Sequence, residues 1–249
     1  MEQRYLRLRM LSEMYWDAQD FRKAQRNRIR SETIFDDADE IQAALDLIEK
    51  AEKTLSRAMV RELRKVAPKP VLTWIRESPG VGEHLAAKLI GVIGDPYVAH
   101  PAHWEGNGKG ERTLVKDKPY VRNVDKLWAY CGVGDPARKK RKGMTAAELA
   151  AMGNWKAKTT LRLLAEACVK QPGSKYEQVY RRAREDYEGR VHADKCPQCK
   201  GSSEPGQPWR PGHQHGAALR KVAKEILRDL WEAAREAHHQ EQAAEPAAA

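Results

Sequence analysis

No run of 18 apolar residues occurs anywhere in this chain, so no membrane-spanning helix is expected. The opening residues Met1-Glu2-Gln3-Arg4-Tyr5 lack the apolar core that a secretory signal needs. These two absences lead to the expectation of a cytoplasmic protein. Cysteine is scarce, with four in 249 residues. In a reducing compartment, so few thiols do not make a disulfide framework. Cys131 and Cys168 lie in apolar helical settings and read as buried thiols, whereas Cys196 and Cys199 form a separate CxxC pair. Strand patterns are also scarce. Only isolated apolar runs favour strands, so the expected class is all-α, a helical hairpin or coiled coil followed by a helical domain.

Two sums set the broad class. Hydrophobic residues make up 41% of the chain, enough for one large core or two small ones. Lys and Arg number 45 against 35 Asp and Glu, an excess of 10. That balance favours a nucleic-acid partner, without indicating a sequence preference. A soluble surface carrying surplus charge is the plainer alternative.

Helical rhythm divides the chain. Leu8, Leu11, Tyr15, Ala18 and Phe21 recur at spacings of three or four within a helix expected over 2–30. Ile41, Leu45, Ile48, Leu55 and Met59 do the same over 38–66, interrupted by Glu52 and Glu62. The pair predicts a hairpin or short coiled coil over 1–68, with self-association through it. Pro68 and Pro70 end that segment. Short helices are expected at 71–77 and 83–93, a polar loop at 97–119, and helices near 122–130, 145–151, 154–170 and 175–188. Thr145 and Glu148 make a capping box. Residues 192–215 read as irregular, and 217–237 as the last helix, with Leu219, Val222, Ile226 and Leu230 inward. The Ala-rich tail at 241–249 is expected to be disordered. Domains are therefore expected at 1–68, 69–172 and 173–240.

Ser78-Pro79-Gly80-Val81-Gly82 joins two helical segments in the manner of a helix-hairpin-helix. Gly80 and Gly82 suit a tight turn and let a phosphate backbone come close. Val81 is placed to plug the gap between the helices. Amides at the start of the second helix would face a phosphate, aided by the helix dipole. Lys88 would reach the same backbone, while Glu83 would repel it or cap the helix. A Pro-Gly turn between two packed helices is the plainer reading. The basic run Arg138, Lys139, Lys140, Arg141 and Lys142 is bracketed by Pro136 and Gly143 and reads as a backbone clamp or a solvated loop. Arg122 with Lys126, and Lys156 with Lys158 and Arg162, add candidate basic stripes. Asn154 and Trp155 either meet DNA or start a helix and fill the core.

Ser78–Gly82, the helix after it, Val124-Asp125-Lys126-Leu127-Trp128-Ala129-Tyr130-Cys131-Gly132-Val133, and Gly153-Asn154-Trp155-Lys156 follow one another in a familiar order. This order resembles the carboxy-terminal domain of IS110/IS116/IS902-family transposases, over about residues 70–170, with a weaker echo at 219–231. The resemblance implies DNA binding in a prokaryotic or phage-infected cell, with the first two helices as the family's coiled coil. The family's amino-terminal RuvC-like domain, with its four acidic metal ligands, has no counterpart here. Asp36, Asp37, Asp39 and Glu40 are clustered helix-start acids, not separated strand-borne carboxylates. The family's serine nucleophile falls where this chain reads Gly134–Gly143, without Ser, Thr or Tyr. No catalytic residue is assigned. The expectation is a catalytically incomplete DNA-binding protein. The alternatives are an active recombinase working with a catalytic partner, and an RNA-binding or assembly module.

Cys196 and Cys199 are followed by His213 and His215, with His192 a further candidate. Two thiolates at CxxC spacing plus one or both histidines would hold a structural Zn²⁺. Such an ion would staple a loop lacking its own apolar core and fix the 175–188 helix relative to the last one. A surface loop with free thiols is the alternative. No organic cofactor is expected.

Overall fold

The structure, a computed structural model, describes residues 2–31, 38–100, 102–106, 112–135, 142–196, 199 and 203–244. A 3-10 turn at Glu2–Tyr5 leads into α1 (Leu6–Ser31), α2 (Ala38–Val66), α3 (Lys69–Glu77) and α4 (Glu83–Ile93). Four short strands follow: β1 (Val98–Ala99), β2 (Ala102–Gly106), β3 (Arg112–Lys116) and β4 (Tyr120–Val121). The chain then forms α5 (Val124–Tyr130), α6 (Ala146–Ala151), α7 (Trp155–Cys168), α8 (Lys175–Asp186) and α9 (Pro211–Ala244). The fold is all-α. β2 and β3 pair antiparallel, with Trp104 opposite Leu114, and β1 pairs with β4. The expected loop at 97–119 thus contains a small hairpin. Thr113-Leu114-Val115 favours strand locally, a signal outweighed in the sequence by surrounding glycines and lysines. Among the described residues, no helix is long and apolar enough to cross a membrane.

The chain divides into two compact units. The first comprises 1–68 and 83–120, the second 69–82 and 121–249. In the first, α1, α2 and α4 pack on one another. The buried face of α1 is Leu8, Ser12, Tyr15 and Trp16, continued by Tyr5 of the preceding turn. Phe21, expected inward, is 54% exposed, and Leu6, Met10 and Met14 also face outward. α2 buries Leu45, Met59 and Leu63, while Ile41, Ile48 and Leu55 are half-buried. The two acids that break the α2 seam are ion-pair positions. Glu62 meets Arg7, and Glu52 accepts hydrogen bonds from Tyr15 Oη at 3.1 Å, Gln19 Nε2 at 3.2 Å and Arg22 Nε at 2.6 Å. With Arg26 on Glu49, these pairs run in opposite directions along α1 and α2, which makes the helices antiparallel.

In the second unit, α9 is the hub. α3, α5, α7 and α8 all pack against it. Its buried stripe includes the expected Leu219, Val222, Ile226 and Leu230. Polar ties fix the register. Tyr176 Oη accepts from Trp74 Nε1 at 3.1 Å and donates to Asp229 at 2.8 Å, where Lys175 also ends at 2.6 Å. Trp128 and Trp231 donate their indole N–H to the carbonyls of Lys224 and Arg122. The expected capping box forms, with Thr145 and Glu148 exchanging hydrogen bonds before α6; Asn154 starts α7, and Asn123 and Ser174 cap α5 and α8 in the same way.

Gly80 has φ +89°, and a Cβ there would lie 2.5 Å from Cys168 Cα. Its backbone rests directly on the end of α7, within the second unit. Gly82 has neither constraint: a Cβ would meet nothing within 4 Å. Gly80→Ala is therefore expected to cost about 2–4 kcal/mol, from forced overpacking and a left-handed backbone. Gly82→Ala should stay within about 0.5 kcal/mol of the parent. Urea unfolding of both variants checks the contrast.

A pH dependence follows from Glu52. Burial alone would raise its pKa, but hydrogen bonds from Arg22, Gln19 and Tyr15 outweigh it, so the folded value lies below the ordinary 4.5. A carboxyl depressed on folding stabilises the fold above its unfolded pKa, and that contribution is lost as pH falls through the folded value. Glu52→Gln should cost about 1–3 kcal/mol at neutral pH. The gap to the parent protein should narrow in melts taken progressively below pH 4.5.

Candidate metal centre

Between α8 and α9 the chain has few apolar residues and makes a small ribbon instead. Val191 bridges Pro208, His192 N–H donates to Gln207 O at 2.9 Å, and Gly206 N–H donates to His192 O at 2.8 Å. Cys196 N–H then donates to Ser203 O at 2.8 Å, and Cys199 N–H to Cys196 O at 3.4 Å. This folds the CxxC segment back on itself. Pro211 opens α9, a position that suits proline because the first helical N–H has no partner in any case. The new helix brings His213 into the turn.

His192, Cys196, Cys199 and His213 converge there. Their candidate ligand atoms all lie within 4.8 Å of one another. Cys196 Sγ is 3.6 Å and Cys199 Sγ 3.4 Å from His213 Nδ1. Tetrahedral bonds of about 2.0–2.3 Å put ligand atoms roughly 3.3–3.8 Å apart, so these two separations already suit a shared ion. His192 and both cysteines are buried, and His192 Nε2 has no hydrogen-bond partner. A buried imidazole nitrogen left unpaired is costly, and a metal ion would satisfy it. The cluster could hold a metal ion. It is walled by aromatic stacking: Trp209 lies parallel to His213 at 4.0 Å, and Tyr187, from the end of α8, packs on Trp209 at 5.3 Å. Tyr187 and Ala183 of α8 meet Ala218 of α9 in a small core beside it.

His215 is not part of this cluster. Its Nδ1 lies 2.7 Å from Tyr180 Oη. Two residues along a helix turn the side chain through about 200°, so His213 and His215 cannot point to one place. The missed signal was the Pro211-Gly212 helix start, which sets His213 and His215 on opposite faces and leaves His192 as fourth ligand. The other two cysteines are unlike this pair. Burial pushes the thiols of Cys131 and Cys168 up to about 12, so they stay protonated and apart from metal chemistry.

The expected DNA contacts are dispersed. Gly80 and the buried Val81 lie with α3 in the second unit, whereas α4 packs on α1 and α2 in the first. Glu83 is held by Arg64 through hydrogen bonds of 2.7 and 2.5 Å, which keep its carboxyl below the ordinary range. Lys88, expected to reach a phosphate, is 2% exposed. Its ammonium sits over Trp16 at 3.6 Å and near Gln19, and burial, with Lys23 nearby, lowers its pKa to about 8. Arg122 is also buried, with its guanidinium over Tyr130. It precedes the cap Asn123 and so shares no helix face with the exposed Lys126. Lys158 is exposed and Lys156 half-exposed on α7. Asn154 caps α7 and Gly153 has its backbone against Gly132, so that patch is structural; Trp155 is 57% exposed and outside the core. Lys142 is exposed, whereas Arg138, Lys139, Lys140 and Arg141 lie outside the described residues, as do Asp36 and Asp37.

No protein-family model matches the chain, and no curated protein matches it.

The cluster makes a sharp forecast. His192→Ala, His213→Ala or loss of either cysteine should lower bound metal well below one equivalent per chain. His215→Phe should leave it unchanged. Elemental analysis of protein purified without chelator distinguishes the two sets.

Proposed function

We propose that this is a nucleic-acid-binding protein, related to the DNA-binding part of IS110-family transposases and catalytically incomplete, whose C-terminal region is fastened by a structural zinc ion. The observation that supports the structural-zinc part of this reading is the convergence of His192, Cys196, Cys199 and His213. Two thiolates and two imidazoles, the donor set of structural zinc, would complete a tetrahedral sphere around an ion held there and would leave no position for a water or substrate. A metal so enclosed organises a surface and does no chemistry on it. Bound zinc would hold the ends of α8 and α9 together where the chain has little apolar core of its own.

The excess of 10 positive charges supports a polyanionic partner. The order of the Ser78–Gly82, Val124–Val133 and Gly153–Lys156 patches supports the kinship. The lack of a hydroxyl between Gly134 and Gly143 supports the absence of strand transfer by this chain. DNA is the preferred partner class in this reading.

The test uses one zinc-loaded preparation. Titration with labelled duplex DNA should give an affinity that falls steeply with salt, and neutralising Arg138–Lys142 should weaken binding and flatten that dependence. Incubation with supercoiled or branched DNA and Mg²⁺ or Mn²⁺ should give no nicks and no covalent adducts. A metal-dependent product lost on changing one hydroxyl or acid would place the chain among active recombinases. Tighter binding to RNA of matched length would replace DNA as the partner.

A further inference from the structure

Helix α9 carries more than a metal ligand on the side that faces the ribbon. His213 is followed at helical spacing by Ala217, Arg220 with Lys221, and Lys224. Each step of three or four residues returns to one face, about one turn or 5.4 Å further along. These residues line a single open groove, together with Arg190 and Trp209 from the ribbon. The groove begins at the metal cluster, whose Cys196 and His213 form part of its wall. Arg190 is exposed and lies over the rings of Tyr187 and Trp209 at 5.0 and 5.8 Å. Lys221 is exposed, and Arg220 and Lys224 are half-exposed.

Five cations line this groove, Arg190, Lys195, Arg220, Lys221 and Lys224, and they repel one another. Lys224 shows it: burial first, and then the charges of Lys221 and Arg220, hold its pKa below the ordinary lysine range, against the opposing pull of Asp125 and Asp135. Lys158 of α7 is lowered by burial and by Arg220. Among the described residues that line the groove, one is an acid. Asp194 lines the groove, and Glu204 is engaged by Lys195 at 3.2 Å. Arg228, the next cation along the stripe, is held by Glu225 at 2.9 Å. Crowded cations with few counter-charges are stabilised by a polyanion laid along them.

We propose that the groove along α9, from Arg190 through Arg220 and Lys221 to Lys224, binds the phosphodiester backbone of a nucleic-acid strand, with the metal cluster fixing its upper wall. This rests on the nucleic-acid reading above and assigns it a surface. The chemistry is that of successive phosphates met by cations one helical turn apart. Arginine offers a forked donor and lysine a point charge, and neither reads a base from there. Sequence preference is therefore not expected from the groove.

The experiment is fluorescence anisotropy on the full, zinc-loaded chain, with a labelled 20-mer as duplex DNA, as single-stranded DNA and as RNA. The variant is Arg220→Gln/Lys221→Gln/Lys224→Gln, and the charge-preserving control is Arg220→Lys/Lys221→Arg/Lys224→Arg. A thermal melt and zinc content confirm that each is folded. The proposal expects the neutral variant to bind at least about tenfold more weakly and its log–log salt slope on duplex to fall by about 2–3, as loss of three phosphate contacts requires. The control should stay within a few-fold of the parent. The preferred oligomer identifies the strand type. Parent binding with an unchanged affinity and slope in the neutral variant overturns the groove and leaves the nucleic-acid reading standing. A parent chain that binds none of the three oligomers overturns both.

Discussion

The buried stripe of α9 is the interaction on which the second unit depends. From Ala218 to Ala237 it presents small and branched apolar side chains, and α3, α5, α7 and α8 pack against this helix. Polar ties follow that stripe and fix its register: Asp229 takes Tyr176 and Lys175, and the carbonyl of Lys224 takes Trp128. The same helix delivers His213 at its first turn and a cationic stripe beyond it. Core, metal cluster and charged groove therefore share one helix, α9. A shift of α9 along its axis would disturb all three.

The metal cluster deals with a different constraint. The segment between α8 and α9 has too little apolar surface to order itself by burial, so its stability must come from elsewhere. Backbone pairing of 190–192 with 206–209 supplies part, and stacking of Tyr187, Trp209 and His213 supplies more. The four convergent side chains could hold a metal ion, and a bound ion would act as a rivet through a thin sheet, locally strong where the material around it is weak.

Much of this was legible in the sequence, and the failures have physical causes. Helix existence followed apolar spacing, and the caps at Thr145 and the stripe of α9 were placed correctly because both depend on local spacing alone. The burial of Phe21 was misread because α1 is apolar on two faces, and periodicity does not say which face meets a neighbour. Lys88 was misread for a similar reason: its sequence context is a phosphate-facing helix, but tertiary packing against Trp16 takes it out of solvent. The fourth metal ligand turned on a helix start. Had α9 been begun at Pro211, the phase difference between His213 and His215 would have singled out His192. The Gly80-Val81-Gly82 turn was read as an approach for phosphate, and the structure adds a packing reason for Gly80, its close contact with Cys168. Such a contact, with nearly ninety residues intervening, leaves no local trace.

The division of the chain has a consequence for how it must be made. Each unit is assembled from two separated stretches, and α3 and α4, neighbours in sequence, go to different ones. α3 emerges from the ribosome well before its packing partner α9, which begins only at Pro211. Until then the apolar face of α3, Val71 and Ile75, lacks that cover. Contacts of such long sequence separation slow folding and lengthen the exposure of unfinished surfaces. The first unit faces no such delay beyond residue 120. Synthesis order thus separates an early-folding unit from a late one, and a chain cut short before α9 would lose the hub of the second unit altogether.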